Sequence, residues 1–303
     1  MKKRIPLFSI FFFSCFFAFA QEDLLSLVGE DSLAKEPVTA TFKSNRIVTG
    51  HSIETLHGGV FDMKIQHRFG PLNGGFYQLF GLDQSSVRIG GDIGITNHLC
   101  VGFGRSSVGK VYDGFVKYKL ISQKTQGGFP VTITAMQSIA ISSLKWADPT
   151  RTNYFSSRLY YTTQLMVARK FNESFSLQLT PTYIHRNLVS KATDKNDIYA
   201  MGIGFRQKLT KRFSINAEYF YVLPGQLELT GTAMKDRTYR NSLSIGVDIE
   251  TGGHVFQLQF TNSLAMIEKG FVAETTENWL NGGIHFGFNI SRVFNIYKWE
   301  KNF

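Results

Sequence analysis

The strongest constraint on this chain is an alternation of apolar and polar residues between positions 60 and 294, in about a dozen short segments. In the first clear segment Phe61 and Met63 share one face, while Asp62 and Lys64 share the other, because successive side chains of a strand point to opposite faces. One face suits lipid and the other suits water. The pattern predicts an all-β fold, an antiparallel transmembrane β-barrel of about 12 strands.

The alternation recurs along the chain with few irregularities. Phe115 interrupts the otherwise polar face of the segment 112–120, and the segment 131–141 alternates more weakly than the others. Aromatic pairs near strand ends, such as Tyr219 with Tyr221, suit the interfacial girdles of a membrane barrel. A secreted β-sandwich or propeller also alternates, because one face of each sheet packs against a core, and it stays the alternative.

The connections between the segments alternate between short and long, as in a barrel with short periplasmic turns and long extracellular loops. The short turns lie near Asn97, Asn172, Lys211 and Gly252. The long loops cover residues 71–84, 144–154, 188–196, 224–239 and 265–280. Two connections fit less well: the one near Gly127 is long for a turn, and the one near Gly109 is short for a loop. An even number of strands then places both chain ends in the periplasm.

The N-terminus predicts export. Residues 1–20 begin with three basic residues, continue through a Phe-rich apolar run and end in Ala18-Phe19-Ala20, the pattern of a cleaved secretory signal. The apolar run is about 15 residues long, short of the roughly 20 that a membrane helix needs. Lipidation at Cys15 is the other alternative, although the residue pattern before this cysteine is incomplete. We therefore expect localisation to the outer membrane after export through the inner membrane.

The composition of the mature chain excludes several classes of protein. Cys100 is its single cysteine, so no intramolecular disulfide can form. Cleavage leaves 30 of the 33 basic residues against 23 acidic residues, a spread net charge of +7 without the basic stripe of a nucleic-acid binder. The histidines are scattered without the spacing of metal ligands. We expect no metal, no cofactor and no nucleic-acid partner.

Residues 21–57 do not share the alternation. The stretch 24–28 has the composition of one or two helical turns, and the stretch 38–48 reads as extended. We expect this segment to be either a plug inside the barrel or a periplasmic arm, unless it adds a strand. The predicted organisation is a signal peptide (1–20), this arm or plug (21–57), the barrel (58–294) and a C-terminal tail (295–303).

Six spaced stretches carry a resemblance to a known family. They are TFKSNRIVTGHSIET from Thr41, HRFGPLNGGFYQLFGLD from His67, VGFGRSSVGKVYDGFVKYKL from Val101, TPTYIHRNLV from Thr180, ETGGHVFQLQFTNS from Glu250 and GFNISRVF from Gly287. Over residues 38–294 the chain resembles an uncharacterised outer-membrane β-barrel family of Bacteroidota-type bacteria, known as a domain of unknown function. The resemblance implies a membrane barrel and supplies no activity or functional residues. The tail 295–303 extends beyond the family pattern, so Phe294 and Phe303 are both candidates for the aromatic end of the sorting signal. We favour Phe294, where the apolar alternation ends.

The parity of the strands predicts which charged side chains point into the lumen, and bases outnumber acids among them. These residues are Lys64, Arg68, Arg88, Asp92, Asp113, Lys117, Lys119, Arg158, Arg186, Arg206, Glu218 and Asp248. If the lumen is open, they line a pore with some preference for anions. If it is closed, opposite charges pair across it, because an unpaired buried charge is costly.

We therefore expect a porin-like channel for small solutes, with a closed barrel that acts as a scaffold or receptor through its loops as the alternative. An outer-membrane hydrolase is a minor alternative, in which His185 would activate Ser190 or Ser106, and it lacks a recognisable motif; we expect no enzyme. The expected partners are outer-membrane lipid and lipopolysaccharide, the barrel-assembly machinery during biogenesis, and small solutes.

Overall fold

A computed structural model describes residues 36–125, 127–189, 194–227, 239–251 and 254–296. The predicted signal peptide (1–20), the stretch 21–35 and residues 297–303 of the predicted tail lie outside the described residues. None of the helices in the described ranges has the length and apolarity needed to cross a bilayer.

Twelve antiparallel strands form one closed barrel, in which each strand pairs with its neighbours in sequence and β12 pairs with β1. The prediction of an all-β barrel with this number of strands is confirmed. The strands are β1 (Val60–Pro71), β2 (Ser85–Gly94), β3 (Leu99–Ser106), β4 (Val111–Ile121), β5 (Thr132–Ser142), β6 (Leu159–Lys170), β7 (Phe175–Arg186), β8 (Asp197–Lys208), β9 (Phe213–Val222), β10 (Ser242–Thr251), β11 (His254–Thr261) and β12 (His285–Asn295). One short helix, α1 (Glu268–Ala273), lies between β11 and β12.

Burial along each strand follows the predicted period of two. In β1, Asp62, Lys64 and Arg68 are buried on the inner face, whereas Met63 on the outer face is 41% exposed. Large apolar side chains cover the outer face of the other strands in the same way. An apolar outer band and a polar inner wall are the reverse of a soluble fold and fit a barrel that stands in lipid.

The two ends of the barrel differ in the length of their connections. Residues 95–98, 171–174 and 209–212 make short turns at the end that we call the turn end. At the opposite end, the loop end, residues 72–84, 143–158, 223–241 and 262–284 make long connections. Two connections depart from this rule, as the sequence indicated. Residues 107–110 make a short connection at the loop end, and residues 122–131 make a long one at the turn end. β1 begins and β12 ends at the turn end.

The pairing of β1 with β12, which closes the barrel, includes Phe294, the predicted aromatic end of the barrel. Phe294 lies opposite Phe61 in the register of β1 and β12, and the two rings stack with their centroids 6.4 Å apart. β12 continues for one residue further, so Asn295 lies opposite Val60. The barrel therefore closes along the full length of β12.

A charge placed in the middle of the outer band should destabilise the barrel. Ile203 lies near the centre of β8 with its side chain on the outer face, 42% exposed. We expect Ile203→Arg to lower the free energy of unfolding by about 2–4 kcal/mol, because a cation at the midplane of a bilayer is poorly solvated. Denaturant unfolding of protein folded into phospholipid vesicles measures this change. Tyr199→Arg, nearer the loop end of the same strand, is the control and should cost about 0–1 kcal/mol. Equal effects at the two positions would contradict a lipid-facing band.

Candidate functional site

Residues 41–53, which we call the inner hairpin, lie inside the barrel. Arg46 faces His51 in an antiparallel bridge, and the amide of Ile47 donates to the carbonyl of Gly50 at 2.9 Å, so the chain reverses at Val48 and Thr49. Most of the hairpin is buried. Its polar contacts reach strands on every side of the closed ring, including β2, β5, β7, β9 and β12. Only a segment within the lumen can make this set of contacts.

The chain runs into the lumen from the turn end and returns there. Before the hairpin, Pro37 bridges Lys124 in the long connection after β4, and the amide of Val38 donates to the carbonyl of Gln123 at 2.7 Å. After the hairpin, the Thr55 hydroxyl donates to the carbonyl of Asn97 in the turn between β2 and β3. The hairpin is therefore inserted from the end at which β1 begins.

A single carboxylate on the wall holds the tip of the inner hairpin. Glu218 of β9 accepts hydrogen bonds from three consecutive backbone amides, those of Val48 at 3.2 Å, Thr49 at 2.7 Å and Gly50 at 3.1 Å. Arg68 of β1 donates to the Thr49 hydroxyl at 3.3 Å. The three aligned N–H dipoles compensate the buried charge of Glu218, in the manner of a backbone anion nest.

Wall side chains also bind the rest of the hairpin backbone. Gln178 of β7 accepts from the amide of Ile53 and donates to the carbonyl of His51, both at 2.8 Å. The carbonyl of Ile53 accepts from Thr134, at 3.0 Å, and the carbonyl of Val48 accepts from Asn289, at 2.9 Å. Buried backbone groups need such partners, since an unsatisfied one is costly.

An apolar patch on the otherwise polar wall receives the hydrophobic side chains of the hairpin. The buried cluster contains Phe42, Ile47, Val48 and Ile53 from the hairpin and Cys100, Phe115, Met136, Met166 and Ala168 from the wall. Burial of each larger side chain contributes roughly 1.5–3 kcal/mol. Phe115, the exception in the predicted polar face of β4, also lies edge-on to the His51 ring, 4.4 Å away. The irregularity in the sequence therefore marks the place where the wall contacts the hairpin.

Several of the charged residues predicted to line the lumen pair with one another. Lys64 contacts both Asp62 and Asp92, and its Nζ lies 3.1 Å from the Asp92 carboxylate. Arg88 pairs with Asp113, with its Nε 2.9 Å from Oδ1. Such pairing lowers the cost of burying these groups on the inner wall.

Other predicted lumen residues bind neutral groups or a distant acid. Lys117 is fully buried and donates to the carbonyl of Ser52 at 3.2 Å. Arg206 donates to the Ser214 hydroxyl and to the carbonyl of Ala40, each at 3.3 Å. Further contacts join Lys119 Nζ to Glu54 Oε2 at 3.9 Å, Arg186 to the carbonyl of Lys195, and Gln257 Nε2 to Asp248 at 2.8 Å.

Arg158 is the one residue of the predicted lining that the structure places elsewhere. It belongs to the 3-10 turn Phe155–Arg158 before β6, where it donates to the carbonyl of Ser142 at 2.8 Å. Its guanidinium lies over the Trp146 ring, 3.9 Å from the centroid. The inward parity of β6 was extended one residue too far, because the strand starts only at Leu159.

The helix α1 folds into the lumen from the loop end. Its Phe271, Val272 and Ala273 are fully buried against the inner wall, where Phe271 meets Phe220 of β9 with ring centroids 5.1 Å apart. Glu268 at its start contacts Arg46 of the inner hairpin, with Oε1 2.9 Å from Nη1. The sequence predicts only a long outward loop over residues 265–280. The apolar run Phe271-Val272-Ala273 within it is the signal that this region packs inside the barrel.

Of the residues considered for hydrolysis, His185 and Ser106 are described and lie on opposite faces of the barrel wall. His185 lies on the outer face, where its Nδ1 is 2.7 Å from Asp197 Oδ1 and its Nε2 is 3.1 Å from Asn187 Oδ1. Ser106 is buried on the inner face, and Ser190 lies outside the described residues. Within the described ranges, no group of three His, Cys, Asp or Glu side chains could hold a metal ion.

The sequence matches a known family along most of the barrel. A family model described as a membrane bound beta barrel domain, DUF5777, matches residues 42–294. The chain belongs to this family. The matched region contains the inner hairpin except its first residue, Thr41, and all twelve strands except the last residue of β12, Asn295. The hairpin is part of the family domain rather than an appendage to it. No curated protein matches the sequence.

Solved barrels resemble this one only in their general form. The COG4313 outer membrane channel from Pseudomonas putida F1 is 16% identical, with a TM-score of 0.46, over 80% of this chain and 98% of that chain. The NanC porin is 8% identical, with a TM-score of 0.45, over 77% of this chain and 98% of that chain. The outer membrane phospholipase A from Escherichia coli is 11% identical, with a TM-score of 0.38, over 78% of this chain and 91% of that chain. At these values the likeness assigns no activity to the family member described here.

Loss of the Glu218 carboxylate should release the tip of the hairpin. Hydrogen bonds to a charged acceptor contribute about 1.5–3 kcal/mol each. We therefore expect Glu218→Ala to raise the rate at which a water-soluble maleimide labels a Val48→Cys thiol, in a Cys100→Ala background, by at least about 100-fold. Asn216→Ala, one inward position away on β9, is the matched control and should leave labelling slow. Equal labelling in both variants would contradict the role of Glu218.

The contact between Arg46 and Glu268 should couple the hairpin to α1. Breaking a buried pair on one side leaves an uncompensated charge and costs about 3–5 kcal/mol. We expect Arg46→Met or Glu268→Gln to accelerate hydrogen exchange in α1, and the double variant to recover part of the protection. Lys269→Met, which removes a pair with the partly exposed Glu274, should have little effect. Unchanged exchange in both single variants would contradict the coupling.

Proposed function

We propose that the protein is an outer-membrane channel for small solutes that its inner hairpin holds closed. The observation that carries the proposal is that residues 41–53 fill the lumen without joining the barrel ladder. Among the residues that the structure describes, no barrel strand pairs with the hairpin, and its one bridge is internal, between Arg46 and His51. The hairpin can therefore leave the lumen without breaking a hydrogen bond between strands, and the barrel stays closed around an emptied space.

The wall behind the hairpin suits a water-filled channel. Apart from the patch around Phe115 and a second apolar patch beside α1, which includes Ile184, Ile198 and Phe220, the inner faces of the strands carry mainly Gln, Thr, Ser and charged side chains. Arg68 and Lys117 have no carboxylate within salt-bridge distance in the described part of the chain, whereas Lys64 and Arg88 do. Uncompensated cations in a channel wall favour anions, which supports a modest anion preference for the opened channel.

The lengths of the connections support an orientation. Barrels of the outer membrane have short periplasmic turns and longer extracellular loops. The turn end would then face the periplasm, so the hairpin enters from the periplasmic side and α1 folds in from the outside. The outer apolar band would contact outer-membrane lipid and lipopolysaccharide, and the barrel-assembly machinery would insert the chain.

A permanently closed barrel is the second candidate, and the burial of α1 favours it. With the hairpin on one side and Phe271 and Val272 on the other, the lumen is occupied from both ends. Such a barrel would act through its loops as a surface scaffold or receptor.

A wedge in the hairpin should open the channel. A Cβ atom at Gly50 would lie 3.0 Å from the Phe220 ring and 3.2 Å from the Glu218 carboxylate, so a larger side chain cannot be accommodated without moving the tip off the wall. In planar bilayers under a salt gradient, we expect rare openings for the full-length mature protein and steady, anion-biased current for Gly50→Leu. Gly114→Leu, where a Cβ meets no atom closer than 3.6 Å, is the control and should behave like the parent protein.

A covalent lock provides the opposite test. A Cβ atom at Gly204 would lie 3.6 Å from Ile47 Cγ2, so Ile47→Cys with Gly204→Cys places two thiols within reach of a disulfide. In a Cys100→Ala background, we expect oxidation to abolish the openings and reduction to restore them. A folded, heat-modifiable Gly50→Leu protein that carries no current would contradict the channel and favour the closed barrel.

A further inference from the structure

The inner wall recognises the backbone of the hairpin more than its side chains. The bound backbone atoms are the amides of Val48, Thr49, Gly50 and Ile53 and the carbonyls of Arg46, Ile47, Val48, His51, Ser52 and Ile53. The polar side-chain contacts are fewer, and they join Lys43 to Glu250, Asn45 to Asp92, Arg46 and His51 to Glu268, and Thr49 to Arg68. Backbone atoms are common to every peptide, so most of the polar recognition does not depend on sequence, whereas the apolar side chains of the hairpin add contacts that do.

One of these wall contacts has the spacing of a ladder partner. Gln178 binds the carbonyl of His51 and the amide of Ile53, a carbonyl and an amide two residues apart. One primary amide thus substitutes for a neighbouring strand, donating and accepting as a ladder partner would. Glu218 supplies only acceptors and binds only amides, and Asn289 donates to a carbonyl.

We propose that the solutes of this channel are short peptides, and that the inner hairpin occupies their binding site until they displace it. The proposal rests on the proposed channel function. The wall offers acceptors to N–H groups and donors to C=O groups, while the patch of Phe115, Met136 and Met166 accepts apolar side chains. Main-chain hydrogen bonds give affinity in this mode of peptide binding, and pockets give the specificity.

The test uses the Gly50→Leu channel, in which the wall is unaltered. We expect acetylated, amidated tetra-alanine to block its current reversibly. The same peptide with every backbone amide N-methylated lacks the backbone N–H donors and should not block. Maltotriose, which has no amide group, should be an at least about tenfold weaker blocker. Thr49→Pro, which removes a hairpin amide that donates to Glu218, is a second opener if Gly50→Leu does not fold.

A pair of wall variants assigns the block to the site. Gln178→Leu removes both hydrogen bonds to the bound backbone, so we expect the peptide concentration for half block to rise by about tenfold or more. Gln164→Leu is the matched control, since Gln164 is equally buried on the inner face and donates to Thr182, not to the hairpin. Its half-block concentration should stay within about twofold of the parent channel.

The outcomes separate the two proposals. A folded opener that carries no current overturns the channel and, with it, the peptide inference. A conducting opener overturns the peptide inference alone if N-methylation does not relieve the block, if maltotriose blocks as well as the peptide, or if Gln178→Leu and Gln164→Leu respond alike. Block that depends on the peptide N–H groups and on Gln178 supports it.

Discussion

A closed barrel of twelve strands encloses more space than its own inward side chains fill, and the rest of this structure follows from that constraint. Eight strands leave an interior that side chains can fill, and sixteen leave an aqueous channel. Here the inner hairpin enters from the turn end and α1 from the loop end, and together they occupy the space that the inward side chains leave. A backbone brought into this space needs partners for every amide and carbonyl. The wall provides them with Glu218, Gln178, Thr134 and Asn289.

The same constraint explains the charges of the wall. A buried charge is tolerated when it is paired or bound by dipoles. Lys64 meets Asp92 of the neighbouring strand β2, and Arg88 reaches across β3 to Asp113 of β4. Glu218 depends instead on the three amides at the hairpin tip. Removal of the hairpin would therefore leave Glu218 without its main partners while the other pairs remain. The charge balance of the inner wall around Glu218 therefore depends more on the bound hairpin than that of the rest of the lumen does.

The strands and the inward parity of Lys64, Arg88 and Glu218 could be predicted because a strand has a side-chain period of two and each face meets a different solvent. The hairpin could not, because both of its faces are buried and no alternation distinguishes them; the sequence left a plug, an arm and an extra strand open. Phe115 was visible as an irregularity, yet only the fold shows that it contacts His51 and belongs to the buried cluster of the hairpin. Arg158 was misplaced because parity does not indicate where a strand starts.

Hydrogen exchange of the full-length protein in lipid tests most directly whether the hairpin occupies the lumen. The amides of Val48, Thr49, Gly50 and Ile53 donate no hydrogen bond to a neighbouring strand. Their protection from exchange comes from their hydrogen bonds to Glu218 and Gln178. If the hairpin occupies the lumen, these amides exchange orders of magnitude more slowly than those of the exposed loop 147–152, at rates that approach those of the barrel strands. Exchange as fast as in that loop would contradict the account.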